Sequence, residues 1–213
     1  MRNVAAAALV FLGGFAIMVL EIIGALYLAG EFGSSFYVWV SQIGVILTAL
    51  ALGYFFGGAL ADRFGRLTVL AWGLLPAGAI TFLIPAFAKR LVRTLIARHP
   101  PDQDIPMLWQ KLDPALGSAL VFLLPCFVLA MLSPYMVRVA TRRLAHVGRV
   151  SGMIYAASTI GSIAGVFASG YVLIDHMSLS GIFRAMGVLT GLLGALCWVM
   201  DRWFAGEVLP APR

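Results

Sequence analysis

The chain has 213 residues, of which 62% are hydrophobic and 11% are charged, and its mean hydropathy is +0.97. A soluble domain is about 45–50% apolar and about 25% charged, so this composition excludes an ordinary water-soluble fold. The formal charge of +6 comes from 15 basic and 9 acidic residues. Because the basic residues lie between apolar runs, they indicate orientation in a membrane rather than binding to nucleic acid.

Six apolar stretches are long enough to cross a bilayer, which requires about 20 helical residues. Their approximate bounds are residues 4–29, 37–60, 67–88, 115–136, 151–174 and 181–200. Helices are expected because backbone polar groups in lipid must form their hydrogen bonds within the same segment. The sequence therefore predicts an all-α integral membrane protein with one transmembrane domain over residues 1–213.

The first predicted helix begins with Arg2 and an apolar run that imitates a signal peptide. The run continues through Leu28 without a small-residue cleavage site, so we expect it to be retained. Glu21 lies deep in this run, where an ionised carboxylate is unfavourable. It is expected either to serve as a cation or proton site in a water-filled cavity or to tie helix 1 to a neighbour by a hydrogen bond. Gln42 and Tyr155 are candidates for the same cavity. Other polar side chains that could share it are Ser41, Thr48, Tyr27 and Tyr54.

A helix–loop–helix motif follows the second predicted helix. It reads Gly58-Ala59-Leu60-Ala61-Asp62-Arg63-Phe64-Gly65-Arg66. This motif resembles the Gly-x-Leu-x-Asp-Arg-x-Gly-Arg signature between the second and third helices of the major facilitator superfamily. Gly58 would permit close packing, Asp62 would face the positive end of another helix, and Gly65 would turn the chain. Arg63 and Arg66 would stay on the cytoplasmic side. The alternative is a generic hairpin with basic residues on its cytoplasmic side.

An amphipathic segment, residues 87–98, follows the third predicted helix. Its apolar residues share one helical face, and Lys89, Arg90, Arg93 and Arg98 fall between them. This pattern predicts a separate helix that lies in the membrane interface, with its basic side chains reaching the headgroups.

Small residues recur at every fourth position on three of the predicted helices. They are Ala49, Gly53, Gly57 and Ala61 on helix 2, Ala157, Gly161, Gly165 and Ser169 on helix 5, and Gly187, Gly191 and Ala195 on helix 6. Such stripes let helix backbones approach closely in lipid. We interpret each stripe as packing within the chain. The stripe on helix 5 is long enough to serve a partner chain as well.

The basic residues outside the apolar runs divide between the two sides of the membrane. One side would hold Arg2, Arg63, Arg66, Arg138, Arg142, Arg143, Arg149, Arg202 and Arg213, and the other Lys89, Arg90, Arg93, Arg98, Lys111 and Arg184. The excess on the first side predicts that both termini are cytoplasmic. Cys126 and Cys197 lie within apolar runs and are expected to be inert. The sequence has no His/Cys cluster, nucleophile–base pair or phosphate loop, so it predicts no metal, no cofactor and no catalytic residue.

A longer resemblance covers most of the chain. Its segments are residues 20–23, 32–39, 44–47, 52–58, 133–138, 148–156 and 158–165, together with Asp62-Arg63. In order, spacing and helix placement they resemble the membrane portion of the bacterial fused major-facilitator/spermidine-synthase-like proteins. The resemblance implies one six-helix half of the major facilitator fold, a location in the bacterial plasma (inner) membrane, and amines as ligands.

Two departures from that family bear on function. Family members usually continue into a soluble aminopropyltransferase-like domain, whereas this chain stops at Arg213, so we expect no enzymatic activity. The family often has an arginine in helix 1 where this chain has Leu26, so no Glu–Arg pair is expected within that helix.

A six-helix half implies a partner, because complete major facilitators bind their substrate between two halves. A two-fold homodimer is the simplest source of the second half, and another membrane protein is the alternative. In the homodimer, Asp62 of one protomer would approach Ser151 and Gly152 of the other. We therefore expect a half-size transporter for a small, cationic or polyamine-like solute. The alternative is a non-transporting anchor or accessory subunit of a larger enzyme or membrane complex.

Overall fold

The computed structural model describes residues 2–99, 105–141 and 146–204, and this part of the chain forms six long helices and no strand. They are α1 (Arg2–Phe32), α2 (Phe36–Phe64), α3 (Leu67–Ile96), α4 (Met107–Ala140), α5 (Val147–His176) and α6 (Leu179–Phe204). All six are long and apolar enough to cross a membrane, which confirms the predicted spans in number and order. Arg142, Arg143 and Arg213, which were used to predict the orientation, lie outside the described residues.

The end of α3 differs from the prediction. The helix runs unbroken to Ile96, so residues 87–96 are its last turns and not a separate helix. The reason is that Ala88 and Val92 are fully buried and continue the inward face of α3 that also carries Ile84. The location of these turns in the membrane interface stays a prediction.

The start of α4 also differs, since the helix begins at Met107 rather than near residue 115. These first turns are polar, and the sequence alone suggested a loop. In the structure, the Asp113 carboxylate accepts hydrogen bonds from Arg98 and His99, which follow the end of α3. The Asp113 side chain is almost fully buried, so these charge-assisted bonds secure the first turns of α4 against α3.

Two irregularities in α4 follow from its prolines. A π-helical stretch, Ala119–Leu123, lies just before Pro125, and a turn at Met131 lies just before Pro134. A proline inside a helix cannot donate to the carbonyl four residues before it, and its ring clashes with that carbonyl. In both cases that carbonyl lies in or next to the irregular turn.

The six helices pack in three layers. α3 and α6 form the back layer, α1 and α4 the central layer, and α2 and α5 the front layer. α1 packs along α5, and α4 packs along α2. If α1 is exchanged with α4, α2 with α5 and α3 with α6, the α1–α5 contact becomes the α4–α2 contact. The α3–α6 contact is unchanged by this exchange. The helix contacts thus have an internal two-fold relation.

Glycines at the helix contacts allow the backbones to touch. A Cβ on Gly78 of α3 would lie 2.7 Å from the backbone nitrogen of Gly191 in α6. A Cβ on Gly165 of α5 would lie 2.6 Å from the carbonyl oxygen of Phe15 in α1. Both distances are too short for a methyl group, so the back layer and the α1–α5 contact depend on the absence of side chains at these positions.

Candidate functional site

A groove lies between α2 and α5 at the front of the molecule, with α1 and α4 as its floor. We call it the front groove. At its base all four helices line a small cavity of about 20 Å³. The polar side chains of this cavity are Tyr54, Ser133, Ser158 and Ser162. A volume of this size holds about one water molecule. The base of the front groove is therefore closely packed, and its mostly apolar lining carries four hydroxyl groups.

Three serines of this cavity connect the floor helices to α5. Ser133 of α4 donates to the Ser158 hydroxyl at 3.3 Å, and Ser162 donates to the Gly14 carbonyl of α1 at 3.4 Å. O–H···O bonds are usually about 2.5–3.0 Å long, so both are weak and the hydroxyls can turn to a bound water. Sequence reasoning did not single out these serines as site residues. The signal was present, since Ser158 and Ser162 are one helical turn apart in an apolar run.

Glu21 lies on α1 about one turn beyond Ile17 and Met18, which line the small cavity. Residues three and four apart share a helix face, so Glu21 is on the groove side of α1. It is partly exposed, and no described residue forms a hydrogen bond or an ion pair with its carboxylate. Within the described part of the chain, Glu21 therefore does not act as a hydrogen-bonded link between helices.

Gln42 is bound within the bundle and contacts Leu20, the residue that precedes Glu21 on α1. It is fully buried, its amide nitrogen donates to the Leu20 carbonyl at 3.4 Å, and its amide oxygen accepts a hydrogen bond from Ser118 at 2.6 Å. These bonds join α2 to α1 and α4. Gln42 consequently does not line the cavity of the front groove, because both ends of its amide are already bound within the bundle.

Tyr155 lies at the edge of the front groove. Its side chain is half exposed, and it is within electrostatic range of Tyr54 across the groove. Gly14 of α1 contacts Ser158 of α5, and this contact aligns the two helices. Tyr155 lies before the contact along α5, and Glu21 lies well after it along α1. At about 1.5 Å per residue, roughly 15–20 Å separates the two along the helix axes. The groove therefore contains Glu21 and Tyr155 but does not bring them into one site.

The loop motif between α2 and α3 joins three helices at one end of the bundle. Gly65 ends α2 in the left-handed conformation, with φ at 59°, and so turns the chain as predicted. Asp62 accepts a hydrogen bond from Arg138 Nε near the end of α4 at 2.7 Å. The Tyr135 hydroxyl, also on α4, donates to the Arg66 carbonyl at 2.6 Å.

Two other expectations about this motif need correction or stay open. Gly58 has no atom within 4 Å of an added Cβ, so it does not serve close packing within the chain. Asp62 pairs with the Arg138 guanidinium, and its approach to the positive end of another helix stays a prediction. Its side chain is 72% exposed, so the approach of a second protomer at Ser151 and Gly152 stays a prediction. Arg63 lies over the Phe64 ring at 5.3 Å.

The small-residue stripes are used within the chain. Gly53 and Gly57 of α2 contact α4, Gly161 of α5 contacts the Phe11 backbone of α1, and Gly187 of α6 contacts α3. Packing within the chain is therefore confirmed for these positions. The stripe on α5 is covered by α1, which leaves it unavailable to a partner chain.

The other end of the bundle holds two carboxylates with basic partners. Glu31, at the end of α1, accepts a hydrogen bond from Arg93 Nε at 3.1 Å, and Asp113 binds Arg98 and His99. A cavity of about 540 Å³ beside them is lined by both carboxylates and by aromatic rings. Because basic side chains already neutralise both carboxylates, a cationic ligand there would compete with them.

The fold indicates the general class of this protein. The chain is all-helical in its described part, and its six apolar helices indicate a multi-pass membrane protein. No family model and no curated protein matches the sequence, and no solved structure matches the fold. The likeness to the fused major-facilitator/spermidine-synthase-like proteins rests on the sequence segments given above.

Proposed function

We propose that this chain is one half of a membrane transporter for a small cationic solute, and that a second copy of the chain supplies the other half. The observation that carries the proposal is the front groove. Four hydroxyl groups line its base, the Glu21 carboxylate on its α1 side has no partner among the described residues, and the two helices beside it are largely uncovered.

The uncovered helices are α2 and α5. In the most apolar parts of these helices only 22% and 17% of residues are buried, against 44–61% in the other four. The exposed surfaces of α2 and α5 are mostly apolar, as Leu47, Phe55 and Phe167 show, and they also carry the Tyr54 and Tyr155 hydroxyls. A surface of this kind suits a protein partner, with the hydroxyls facing a polar pathway at the edge of the front groove.

The internal two-fold relation of the helix contacts supports a major-facilitator architecture. In that architecture each six-helix half consists of two inverted three-helix repeats, and substrate binds near the bilayer midplane between the halves. A single half therefore offers one wall of a site. Closed two-fold dimers are the commonest assemblies, so a second copy with its own front groove is the simplest opposite wall.

Glu21 indicates the class of solute. Carboxylates within apolar helices are rare, and they mark the pathways of substrates, ions or protons. Among the described residues of the front groove, Glu21 is a carboxylate without a basic partner, and such a group favours a cation. An amine also agrees with the ligands that the sequence resemblance implies.

Uptake into proteoliposomes tests this function. The protein would be reconstituted and supplied with a labelled diamine or polyamine, and Glu21→Gln would be compared with Glu31→Gln. The control removes a carboxylate from the same helix, but outside the front groove and at the end of the bundle. We expect Glu21→Gln alone to abolish uptake. Equal uptake by wild type and Glu21→Gln would refute the role of Glu21, and fixed-stoichiometry copurification with other membrane subunits without any flux would favour an accessory role.

A further inference from the structure

A basic groove lies on the surface of α3 near its C-terminal end. Its volume is about 540 Å³, and its lining includes Pro85, Ala86, Lys89, Arg90, Arg93 and Thr94. It is separate from the front groove, which α3 does not line. We call this second feature the α3 groove.

The length of α3 predicts that the α3 groove lies at headgroup level. The helix has 30 residues and starts directly after Arg66. At about 1.5 Å per residue it is about 45 Å long, whereas the hydrocarbon core is about 30 Å thick and takes about 20 residues. An apolar crossing that starts at Leu67 would end near Ala86. Lys89, Arg90 and Arg93 are therefore expected in the headgroup layer, where lipid phosphates lie.

The α3 groove has an excess of positive charge. Lys89 and Arg93 share a single carboxylate, Glu31, at 3.8 Å and 3.1 Å. No described residue forms an ion pair with Arg90. Three cations thus face one carboxylate. The side chains of Lys89 and Arg93 are 56% and 64% exposed, so both can still reach an anion from solution or from the membrane.

The membrane side of the α3 groove is apolar. Pro85 and Ala86 form its lower part, and Phe82 and Leu83, one turn deeper, are exposed on the lipid-facing surface. A ligand with both a phosphate and hydrocarbon chains satisfies both parts of this surface at once. A free anion would leave the apolar part uncovered.

We propose that the α3 groove binds an anionic glycerophospholipid. Its phosphate lies between Arg90 and Arg93, because guanidinium groups bind phosphate oxygens in a bidentate manner, and Lys89 adds a point charge. Its acyl chains run down α3 over Ala86 and Phe82. The inference is independent of any transport activity, since it involves neither Glu21 nor the front groove.

Native mass spectrometry of the detergent-purified chain, titrated with phosphatidylglycerol or phosphatidylcholine, tests the proposal. Arg90→Gln leaves the Glu31 pairs intact, and we expect it to weaken phosphatidylglycerol binding about fivefold, because a cation near the membrane surface contributes about that factor. Arg90→Gln combined with Arg93→Gln should weaken binding about 25-fold. The matched control is Arg202→Gln, which removes an exposed cation from the other end of α6, away from the α3 groove.

Four results would overturn the proposal. Three of them are equal affinity for phosphatidylglycerol and phosphatidylcholine, an unchanged affinity in Arg90→Gln, and an equal loss in Arg202→Gln. Inorganic phosphate serves as the competitor. Displacement of the lipid by millimolar phosphate would show that the groove is a site for free anions and would also refute the lipid. Retention of the lipid under those conditions supports it.

Discussion

Replacing Gly161 by alanine tests the packing of α1 against α5. The added Cβ would collide with the carbonyl oxygen of Phe11 and would lie 2.8 Å from the Phe11 Cα. These are backbone atoms, so the clash is relieved only if the two helices separate. Overpacking of this kind costs about 1–3 kcal/mol, and alanine returns up to about 1 kcal/mol through its higher helix propensity. We expect the free energy of unfolding to fall by about 1–2 kcal/mol.

The assay is reversible unfolding in mixed detergent micelles of increasing dodecyl sulfate content, followed by circular dichroism. Gly170→Ala is the matched control, because this glycine is on the same helix and has no atom within 4 Å of an added Cβ. The control should be neutral or slightly stabilised. Equal stability of the two variants would refute the described α1–α5 contact. If Gly161→Ala weakened self-association but not unfolding, the α5 stripe would belong to a partner interface instead.

Four further substitutions, at three contacts near the two ends of the bundle, are measured by the same unfolding assay. The Asp62 side chain of the Asp62–Arg138 pair is largely exposed. A double-mutant cycle of Asp62→Asn and Arg138→Gln should therefore give a coupling energy below about 1 kcal/mol. A coupling energy above about 3 kcal/mol is typical of a buried pair and would contradict this exposure. Tyr135→Phe removes the hydrogen bond that this fully buried residue donates to the Arg66 carbonyl. The free energy of unfolding should fall by about 1 kcal/mol. An unchanged free energy of unfolding would show that the bond is absent. Asp113→Asn removes the counter-charge of Arg98 and His99, which should cost about 1.5–3 kcal/mol. It should also speed tryptic cleavage after Arg98 and Lys111. Cleavage at the wild-type rate would argue against this anchor.

The sequence was sufficient to predict the membrane helices because hydropathy and length depend on the chain alone. The same holds for the glycine stripes, since four-residue spacing places small residues on one face whatever the neighbour is. The turn at Gly65 also followed from local chemistry, because glycine readily adopts the left-handed conformation that ends α2.

Features that depend on neighbours were not predictable. The continuation of α3 past residue 88 follows from the burial of Ala88 and Val92 against other helices. The early start of α4 depends on Asp113, whose partners come from another helix. A hydropathy profile shows the polarity of each side chain but not its contacts. For this reason it predicted an interfacial helix at the end of α3 and a loop at the start of α4.

The candidate site was predictable only in part, for the same reason. Glu21 stands out by its position in an apolar run, and the structure leaves its carboxylate on the groove side of α1. Gln42 is also an unusually polar residue for a membrane helix, but its amide already forms hydrogen bonds with Leu20 and Ser118. Only the arrangement of the helices distinguishes an available polar side chain from one that holds the bundle together.

We propose that the front groove becomes a complete pathway only when a second copy of the chain covers it. The mass of the native complex released from lipid nanodiscs, measured by native mass spectrometry without crosslinking, tests this dimer. We expect a species of two 22.8 kDa chains together with bound lipid. A single chain, or a fixed complex with a different membrane protein, would refute the dimer.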